Sequence, residues 1–138
     1  MYEDVLIPVD RGEESNITAI NEVLDFITKS DNGTIRLLYV WTDEQEKTTT
    51  QTRPDEHPHP IKHAREHINK SDVTVTVKSE TRTGNPSTEI STHADETNVD
   101  AIAMATYGRS RVKRMLLGST TEAVIKKSKP PVLVVSRE

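Results

Sequence analysis

The sequence predicts a doubly wound α/β fold in which a five-stranded parallel sheet carries helices on both faces. Five short apolar runs are separated by polar stretches, and the stretches between them carry helical periodicity or turn residues. One run, AIAMA at 101–105, is apolar on both faces, as buried parallel strands are. The order β-α-β-α-β-α-β-α-β, without a repeat or linker, predicts a single domain over residues 1–138 with right-handed crossovers.

The first half of the chain supplies two predicted strands and one amphipathic helix. The first strand covers residues 5–9, and turn residues at 30–33 precede a second strand at Thr34–Trp41. Between them, apolar residues recur on one helical stripe: Ile17, Ile20, Val23, Leu24 and Ile27. Residues 42–60 are polar and contain three prolines, so we expect a surface loop there.

The second half supplies three further strands and three helices. A short helix is predicted at 61–69, and the alternation of Val with Thr over 73–81 predicts an edge strand. The GNPS turn at 84–87 introduces a helix that ends near Thr97 and turns Ile90 and Ala94 inward. The central strand at 101–105 follows, then a helix at 119–128 and a last strand, VLVV.

Composition limits the partners and the location that we expect. A net charge of −4 and a pI near 5.7 argue against general binding to nucleic acid or anionic membranes. The absence of cysteine excludes disulfides, thiolate nucleophiles and cysteine-based metal sites. The amino-terminal segment lacks the basic flank of a signal peptide, and no apolar run has the length of a membrane span. We therefore expect a cytoplasmic protein.

The segment 104–119, MATYGRSRVKRMLLGS, carries the strongest functional signal. Gly108 can bring bare backbone close to a ligand, and Gly118 opens a helix whose unpaired amides attract phosphate. Four cations lie between these glycines: Arg109, Arg111, Lys113 and Arg114. The pattern predicts a polyphosphate site. The alternative is that the glycines only make turns and the cations form a solvated face.

The predicted topology gives this segment a neighbour. In doubly wound sheets, ligands bind outside the carboxyl ends of the strands, where the strand order reverses. That rule selects the loop at 10–13, after the first strand, and the loop at 106–119, after the fourth. We expect these two loops to border one crevice.

Three stretches of the chain together resemble the universal stress protein family: PVD at 8–10, the segment 104–119 and PPVLVV at 130–135. The resemblance covers essentially the whole chain and implies a Rossmann-like fold of the adenine nucleotide alpha hydrolase type. ATP-binding members carry a glycine, two residues, a second glycine, nine residues, then glycine with Ser or Thr. This chain departs from that pattern at Ala105, and it has Arg111 where many relatives have glycine.

The resemblance implies a site for ATP or a related adenine nucleotide, with or without Mg²⁺. In it, Asp10 accepts from sugar hydroxyls, Val40 meets the adenine and Met104 lies under the base. Without the resemblance, Asp10 is a loop or capping carboxylate and Val40 an ordinary core residue. The residues that the resemblance assigns to the site are Pro8, Val9, Asp10, Val40, Met104, Ala105, Gly108, Arg109, Gly118, Ser119 and Thr120.

The apolar ending has a second implied role. In the family this strand pairs with its twin across a homodimer, and the matching residues here are Val132, Leu133, Val134 and Val135. We expect a homodimeric stress-response protein that senses an adenine nucleotide and signals to an unidentified protein partner. One alternative is a slow ATPase, although no catalytic constellation is recognisable. The other is a dimerisation or interaction module without nucleotide, which Ala105 and Arg111 favour.

Histidines form the remaining cluster, because His57, His59, His63 and His67 fall within eleven residues. His63 and His67 match the H-x-x-E-H pattern of inverted zinc peptidases and share one helix face. A catalytic zinc would need a third ligand and a walled cleft, so we expect a solvated helix face, with incidental surface metal binding as the alternative. His93 is predicted to pack at the boundary of the sheet.

Overall fold

The structure, a computed structural model, describes residues 2–27, 32–43, 58–106 and 118–136 of the chain, and these residues form five strands and four helices. Every strand pairing is parallel, and the sheet order is β3-β2-β1-β4-β5. The predicted doubly wound α/β fold is therefore confirmed. The elements are β1 (Asp4–Val9), α1 (Glu13–Ile27), β2 (Thr34–Trp41), α2 (His59–Asn69), β3 (Thr76–Thr83), α3 (Pro86–Thr97), β4 (Ala101–Thr106), α4 (Ser119–Lys127) and β5 (Val132–Ser136).

Two apolar cores, one on each face of the sheet, follow from the alternation of side chains along the strands. Val5 and Ile7 of β1 pack with α1 and α2 on one face. Leu6 packs with residues of α3 and α4 on the other. β4 lies between β1 and β5, and its residues 101–104 are all buried. This double burial explains why the AIAMA run has no polar face.

The edge strand β3 alternates half-buried with exposed residues over most of its length, as the sequence predicted. It begins at Thr76 and not at residue 73, because its sheet partner β2 begins at Thr34 and the register pairs Thr34 with Thr76. Residues 73–75 therefore precede the part of the chain that pairs with β2. The strand also continues to Thr83, opposite Trp41 at the end of β2.

Helix α2 begins at His59, two residues before the predicted start. Pro58 is the N-cap residue, and its carbonyl accepts from the amides of Ile61 at 3.0 Å and Lys62 at 3.1 Å. Pro60 lies in the first helical turn, where a missing N–H group leaves no hydrogen bond unmade. The prediction was wrong here because it treated both prolines as loop residues.

The helices are amphipathic, and α1 buries the predicted stripe with the exception of Ile17, which is half-buried. Helix α3 begins as predicted: the Asn85 side chain accepts from the Thr88 amide at 3.2 Å. Gly84 before it has φ of +147°, a conformation that side-chain-bearing residues avoid. In the described part of the chain, no helix is long and apolar enough to cross a bilayer.

Candidate functional site

The strand order reverses between β1 and β4, which lie side by side in the centre of the sheet. The chain leaves β1 toward β2 on one side, and it leaves β4 toward β5 on the other. Crossovers that depart in opposite directions leave a crevice at the carboxyl ends of the two strands. Those ends are Val9 and Thr106, so the sheet places the two predicted loops at neighbouring positions.

Asn16 holds the turn between β1 and α1. Its side-chain oxygen accepts from the Asp10 amide at 3.1 Å, and its side-chain nitrogen donates to the Asp10 carbonyl at 2.7 Å. Asn16 is only 4% exposed. Its side-chain amide therefore satisfies the backbone N–H and C=O groups of Asp10 in place of water. The sequence analysis missed Asn16, although a polar residue among the buried positions of an amphipathic helix is a signal that could have identified it.

The Asp10 side chain is exposed and turned toward the following loop. Its Oδ1 atom accepts from the Gly12 amide at 2.8 Å, which fixes the direction of the carboxylate. A Cβ atom on Gly12 would lie 3.1 Å from that oxygen, so glycine makes the close turn possible. Asp10 is therefore a loop carboxylate, as the residues alone suggested, and its orientation is compatible with accepting from a ligand.

The strand residues predicted for the site divide between the two faces of the sheet. Val40 and Met104 belong to the same apolar cluster, on the face covered by α3 and α4. Val9 is 4% exposed and belongs to the cluster on the opposite face, against which Ala105 also packs. Pro8 is half-buried. The structure thus brings Val40 and Met104 together, while the Val9 side chain lies in the opposite core.

The start of α4 is open. Gly118 is its N-cap residue with φ of −77° and ψ of 163°, and none of the residues that the structure describes makes a side-chain capping bond there. Among the described residues, no atom lies within 4 Å of a Cβ atom built on Gly118. Ser119 is exposed and Thr120 is half-buried. A helix start of this kind offers backbone amides and the positive end of the helix dipole to an anion.

Part of the predicted site falls outside the described residues. Gly108 and Arg109 do so, together with the three cations that follow: Arg111, Lys113 and Arg114. They remain sequence predictions.

A second concave region lies on the α3 face of β2 and β3, away from the carboxyl edge. Arg36 borders it, and the guanidinium of this residue is bound by the Asp4 carboxylate at 2.8 and 3.1 Å. Hydrogen bonding to Asp4 raises the Arg36 pKa above its usual range. The groove has a volume of about 540 Å³ and is lined by Arg36, Leu37, Lys78, Ser79, Glu80, His93, Glu96 and Thr97.

Arg82 contacts two of these lining residues, His93 and Glu96, and is paired with two carboxylates. Its Nε donates to Glu89 at 2.7 Å and its Nη1 donates to Glu96 at 2.9 Å, and these bonds raise the pKa of Arg82. His93 is 6% exposed, with Nδ1 3.5 Å from Arg82 Nη1. Burial lowers the pKa of His93, so the neutral imidazole is favoured. The predicted boundary position of His93 is confirmed.

The histidines of α2 contact α1. His67 Nε2 lies 2.7 Å from the side-chain oxygen of Asn21, whereas His63 Nε2 faces Glu13 at 3.8 Å. Burial is the largest cause that lowers the pKa of His67. The two histidines of the H-x-x-E-H pattern therefore turn to different partners, and the expected solvated helix face is half-buried at both of them. His57 lies outside the described residues.

Comparison with known proteins gives one consistent family. The model of the universal stress protein family matches residues 1–136. Universal stress protein MJ0577 of Methanocaldococcus jannaschii is 46% identical over 79 residues, which are 56% of this chain and 49% of that protein. The matched stretch thus spans about half the length of this curated relative.

Solved structures agree over the whole chain. The structure of MJ0577 superposes with a TM-score of 0.80 at 34% identity, covering 100% of this chain and 98% of that one. A universal stress protein in complex with cAMP gives 0.73 at 19% identity, covering 99% and 98% of the two chains. The universal stress protein of Archaeoglobus fulgidus in complex with dAMP gives 0.63 at 18% identity, covering 97% and 98%. The last two comparisons show a shared fold.

Proposed function

Since this chain belongs to the universal stress protein family, we propose that it is a stress-response protein that binds an adenine nucleotide in the crevice between the carboxyl ends of β1 and β4. The observation that carries the proposal is the start of α4. There, no described residue caps the helix at Gly118 or places an atom within 4 Å of a Cβ atom built on it. That combination suits a phosphate group, which needs amide donors and room for its oxygens.

The phosphates would meet the first turn of α4. The Ser119 and Thr120 hydroxyl groups can add hydrogen bonds to those from the backbone amides. Arg109, predicted from the sequence, would supply a planar guanidinium for bidentate contact with phosphate oxygens. Binding would therefore combine helix-terminal amides with charge from the loop after β4.

The nucleoside would lie nearer to β1 and β2. Asp10, oriented by Asn16 and by the Gly12 amide, is the acceptor that we propose for the ribose hydroxyls. Val40 and Met104 share one apolar cluster and offer a surface for the base. Two relatives of the same fold were solved with cAMP and with dAMP, which supports an adenine nucleotide as the ligand class.

ATP is the nucleotide that the glycine pattern favours, and Ala105 favours the competing proposal of an interaction module without nucleotide. Asp10 is the one carboxylate among the proposed ligand residues. Asp10 is proposed for the ribose, so a Mg²⁺ that accompanies ATP would be held by phosphate oxygens and water. We propose binding and not turnover, because these residues include no arrangement that would position and activate a water molecule.

We also propose a homodimer formed through β5. The two edges of the sheet differ: β3 exposes Thr76, Lys78 and Glu80, whereas residues 132–135 of β5 are uncharged and half-buried. Charged side chains on an edge strand disfavour pairing with another chain, whereas an apolar edge strand favours it. Analytical ultracentrifugation of the wild type and of Val134→Lys tests this part. We expect a dimer for the wild type and a monomer for the variant, while a monomeric wild type would refute it.

Calorimetry tests the nucleotide proposal. Protein that is free of copurified nucleotide, as judged by native mass spectrometry, is titrated with ATP, AMP and GTP. We expect saturable binding of ATP or AMP at or below millimolar concentration and weaker binding of GTP. If neither adenine nucleotide bound at millimolar concentration, the interaction module without nucleotide would become the better account.

A further inference from the structure

Strands β1 and β4 stop pairing before either of them ends. In the described part of the chain, the two strands are in register over just two residues each, 5–6 of β1 and 101–102 of β4. By contrast, the pairings of β1 with β2 and of β4 with β5 continue to the carboxyl ends of β1 and β4. We call the stretch in which β1 and β4 are not paired, residues 7–9 and 103–106, the seam. It lies at the carboxyl ends of the two strands between which the sheet order reverses.

The backbone of β1 turns a proline toward the seam. The Asp4 carbonyl accepts from the Asp100 amide, just before β4, at 2.7 Å. Successive residues of a strand direct their N–H and C=O groups alternately to the two neighbouring strands. Leu6 and Pro8 therefore face β4, as Asp4 does. Proline has no N–H group, so Pro8 donates no hydrogen bond across the seam.

The backbone of β4 turns two carbonyls toward the seam. The Ile102 amide donates to the Pro131 carbonyl at 2.9 Å, on the side of β5. By the same alternation, Ala103 and Ala105 face β1. Ala103 is buried, and buried carbonyls are almost always paired. A carbonyl without a donor in β1 therefore lowers the stability of the sheet, a cost that a binding function would explain.

Continued pairing along the seam would need amide donors at residues 8 and 10. If the register extended, residue 8 would donate to the Ala103 carbonyl. Residue 10 would donate to the Ala105 carbonyl. Residue 8 is proline, and the Asp10 amide donates instead to Asn16 Oδ1 at 3.1 Å. β1 therefore donates neither of these hydrogen bonds to β4.

Asn16 holds the Asp10 amide from a buried position in α1. Its Nδ2 atom also donates to the Asp10 carbonyl at 2.7 Å, so both backbone groups of Asp10 are bound by one side chain. If the Asp10 amide turned to β4, the buried Asn16 oxygen would lose this donor, which costs free energy. Asn16 thus keeps Asp10 in the turn and away from β4.

We propose that Pro8 and Asn16 are positioning residues that leave the seam unpaired, so that the carboxyl ends of β1 and β4 stay open to the nucleotide. This inference rests on the proposed function, which assigns the nucleotide to that crevice. Parallel sheets bind ligands outside the carboxyl ends of strands, where the strand order reverses. Pairing along the seam would hold those ends at the usual strand spacing of about 4.8 Å and occupy the carbonyls of Ala103 and Ala105. Both effects would oppose a ligand.

Pro8→Ala tests the proposal because it introduces an amide at residue 8. Without nucleotide, NMR should show slow hydrogen exchange of this amide, since it can donate to the Ala103 carbonyl. Affinity for ATP or AMP in calorimetry should fall about fivefold, the equivalent of one hydrogen bond. The added hydrogen bond offsets the greater freedom of the unfolded chain, so the urea midpoint should stay close to that of the wild type.

The ester analogue of Pro8→Ala is the matched control. Lactic acid incorporated at residue 8 lacks the proline ring, as alanine does, but carries an oxygen atom in place of the N–H group. We expect this analogue to bind nucleotide about fivefold more tightly than Pro8→Ala, because it cannot donate to β4. Rapid exchange of the new amide in Pro8→Ala, or equal affinities of Pro8→Ala and its ester analogue, would overturn the role of Pro8.

Asn16→Ala separates a role at the seam from support of the turn. If Asn16 keeps the Asp10 amide from β4, that amide should remain protected from exchange in the variant, because it then donates to the Ala105 carbonyl. Rapid exchange there would leave Asn16 with the turn alone and overturn its part of the proposal. Wild-type protein that binds no adenine nucleotide would refute the proposed function, whereas the exchange measurements, made without nucleotide, test the seam independently.

Discussion

The groove under α3 and the carboxyl ends of β1 and β4 both carry polar groups, but these groups differ in how they are paired. In the groove, the guanidinium of Arg36 is held by Asp4, and that of Arg82 is held by Glu89 and Glu96, at 2.7 to 3.1 Å. At the helix start at Gly118, no side chain of the described ranges makes a capping bond. The arginines of the groove region are therefore neutralised from within, whereas the start of α4 has amides that no described side chain caps.

This difference shows why volume and charge alone do not identify a binding site. A polyanion that entered the groove would have to displace carboxylates from two arginines, and breaking a partly buried ion pair leaves a charge without its partner. At the start of α4, a phosphate would form hydrogen bonds that no side chain in the described part of the chain makes. We therefore expect substitutions at the crevice to alter nucleotide affinity, and substitutions at the groove to alter the free energy of unfolding.

Gly118→Asp should give the largest effect. The new side chain can cap α4, so the free energy of unfolding should stay constant or rise by a few tenths of a kcal/mol. Its carboxylate would occupy the amides and repel phosphate. Loss of two charge-assisted hydrogen bonds, about 1.5 kcal/mol each, predicts about 100-fold weaker nucleotide binding by calorimetry.

Gly118→Asn is the matched control for charge, because asparagine also caps helices but carries no charge. We expect a smaller loss of affinity, between those of the wild type and the Asp variant. If Gly118→Asp were more stable than the wild type and still bound nucleotide equally well, the phosphate could not lie at the start of α4.

Asp10→Asn should give the next effect. The side-chain oxygen of asparagine can still accept from the Gly12 amide, so the turn and the stability should be preserved. The contact with the ribose would lose its charge, which predicts about fivefold to tenfold weaker binding of ATP or AMP. Equal affinities of the variant and the wild type would show that Asp10 serves only the turn.

Arg82→Met tests the expected effect of a substitution next to the groove. Removing the guanidinium breaks its contacts with Glu89 and Glu96, which we expect to lower the free energy of unfolding by about 1 kcal/mol in urea titrations. Nucleotide affinity should change little, because the guanidinium is held by two carboxylates of α3 and is not among the proposed ligand groups. A marked loss of affinity in this folded variant would contradict the division between the two regions.

The smallest effect concerns pH. Burial lowers the pKa of His93, with Glu80 acting to raise it and Arg82 to lower it. The unfolded chain therefore takes up a proton near the usual pKa of about 6.5, while folded His93 stays neutral to lower pH. Stability should fall as the pH drops through that interval and level off below the folded pKa. Urea titrations should show a weaker pH dependence for His93→Gln, and an unchanged dependence would refute this assignment.

The sequence predicted the sheet because strand signals are local. The alternation in β3 and the doubly apolar run of β4 follow from which faces are buried, and burial leaves a period in the sequence. Gly118 was also predictable, since a glycine before Ser and Thr after a strand is a short, recognisable pattern. The family resemblance added the role of Asp10, which the residues alone left as a loop carboxylate.

Contacts between distant elements were not predictable in the same way. The two hydrogen bonds between the Asn16 side chain and the Asp10 backbone depend on which side of α1 is buried beneath the turn. The convergence of His59 and His63 on Glu13 depends on how α2 packs against α1. The pairing of Arg82 with two carboxylates joins β3 to α3. Each requires a three-dimensional arrangement that leaves no fixed spacing in the sequence.

Amide hydrogen exchange, with and without saturating adenine nucleotide, tests the central claim most directly because it reads both concave regions at once. The account predicts slower exchange after nucleotide addition in the turn at 10–12 and at the start of α4, residues 118–121. It predicts unchanged exchange at Arg36, in β3 and at the end of α3. Protection confined to the groove residues, or none at either crevice segment in nucleotide-saturated protein, would contradict it.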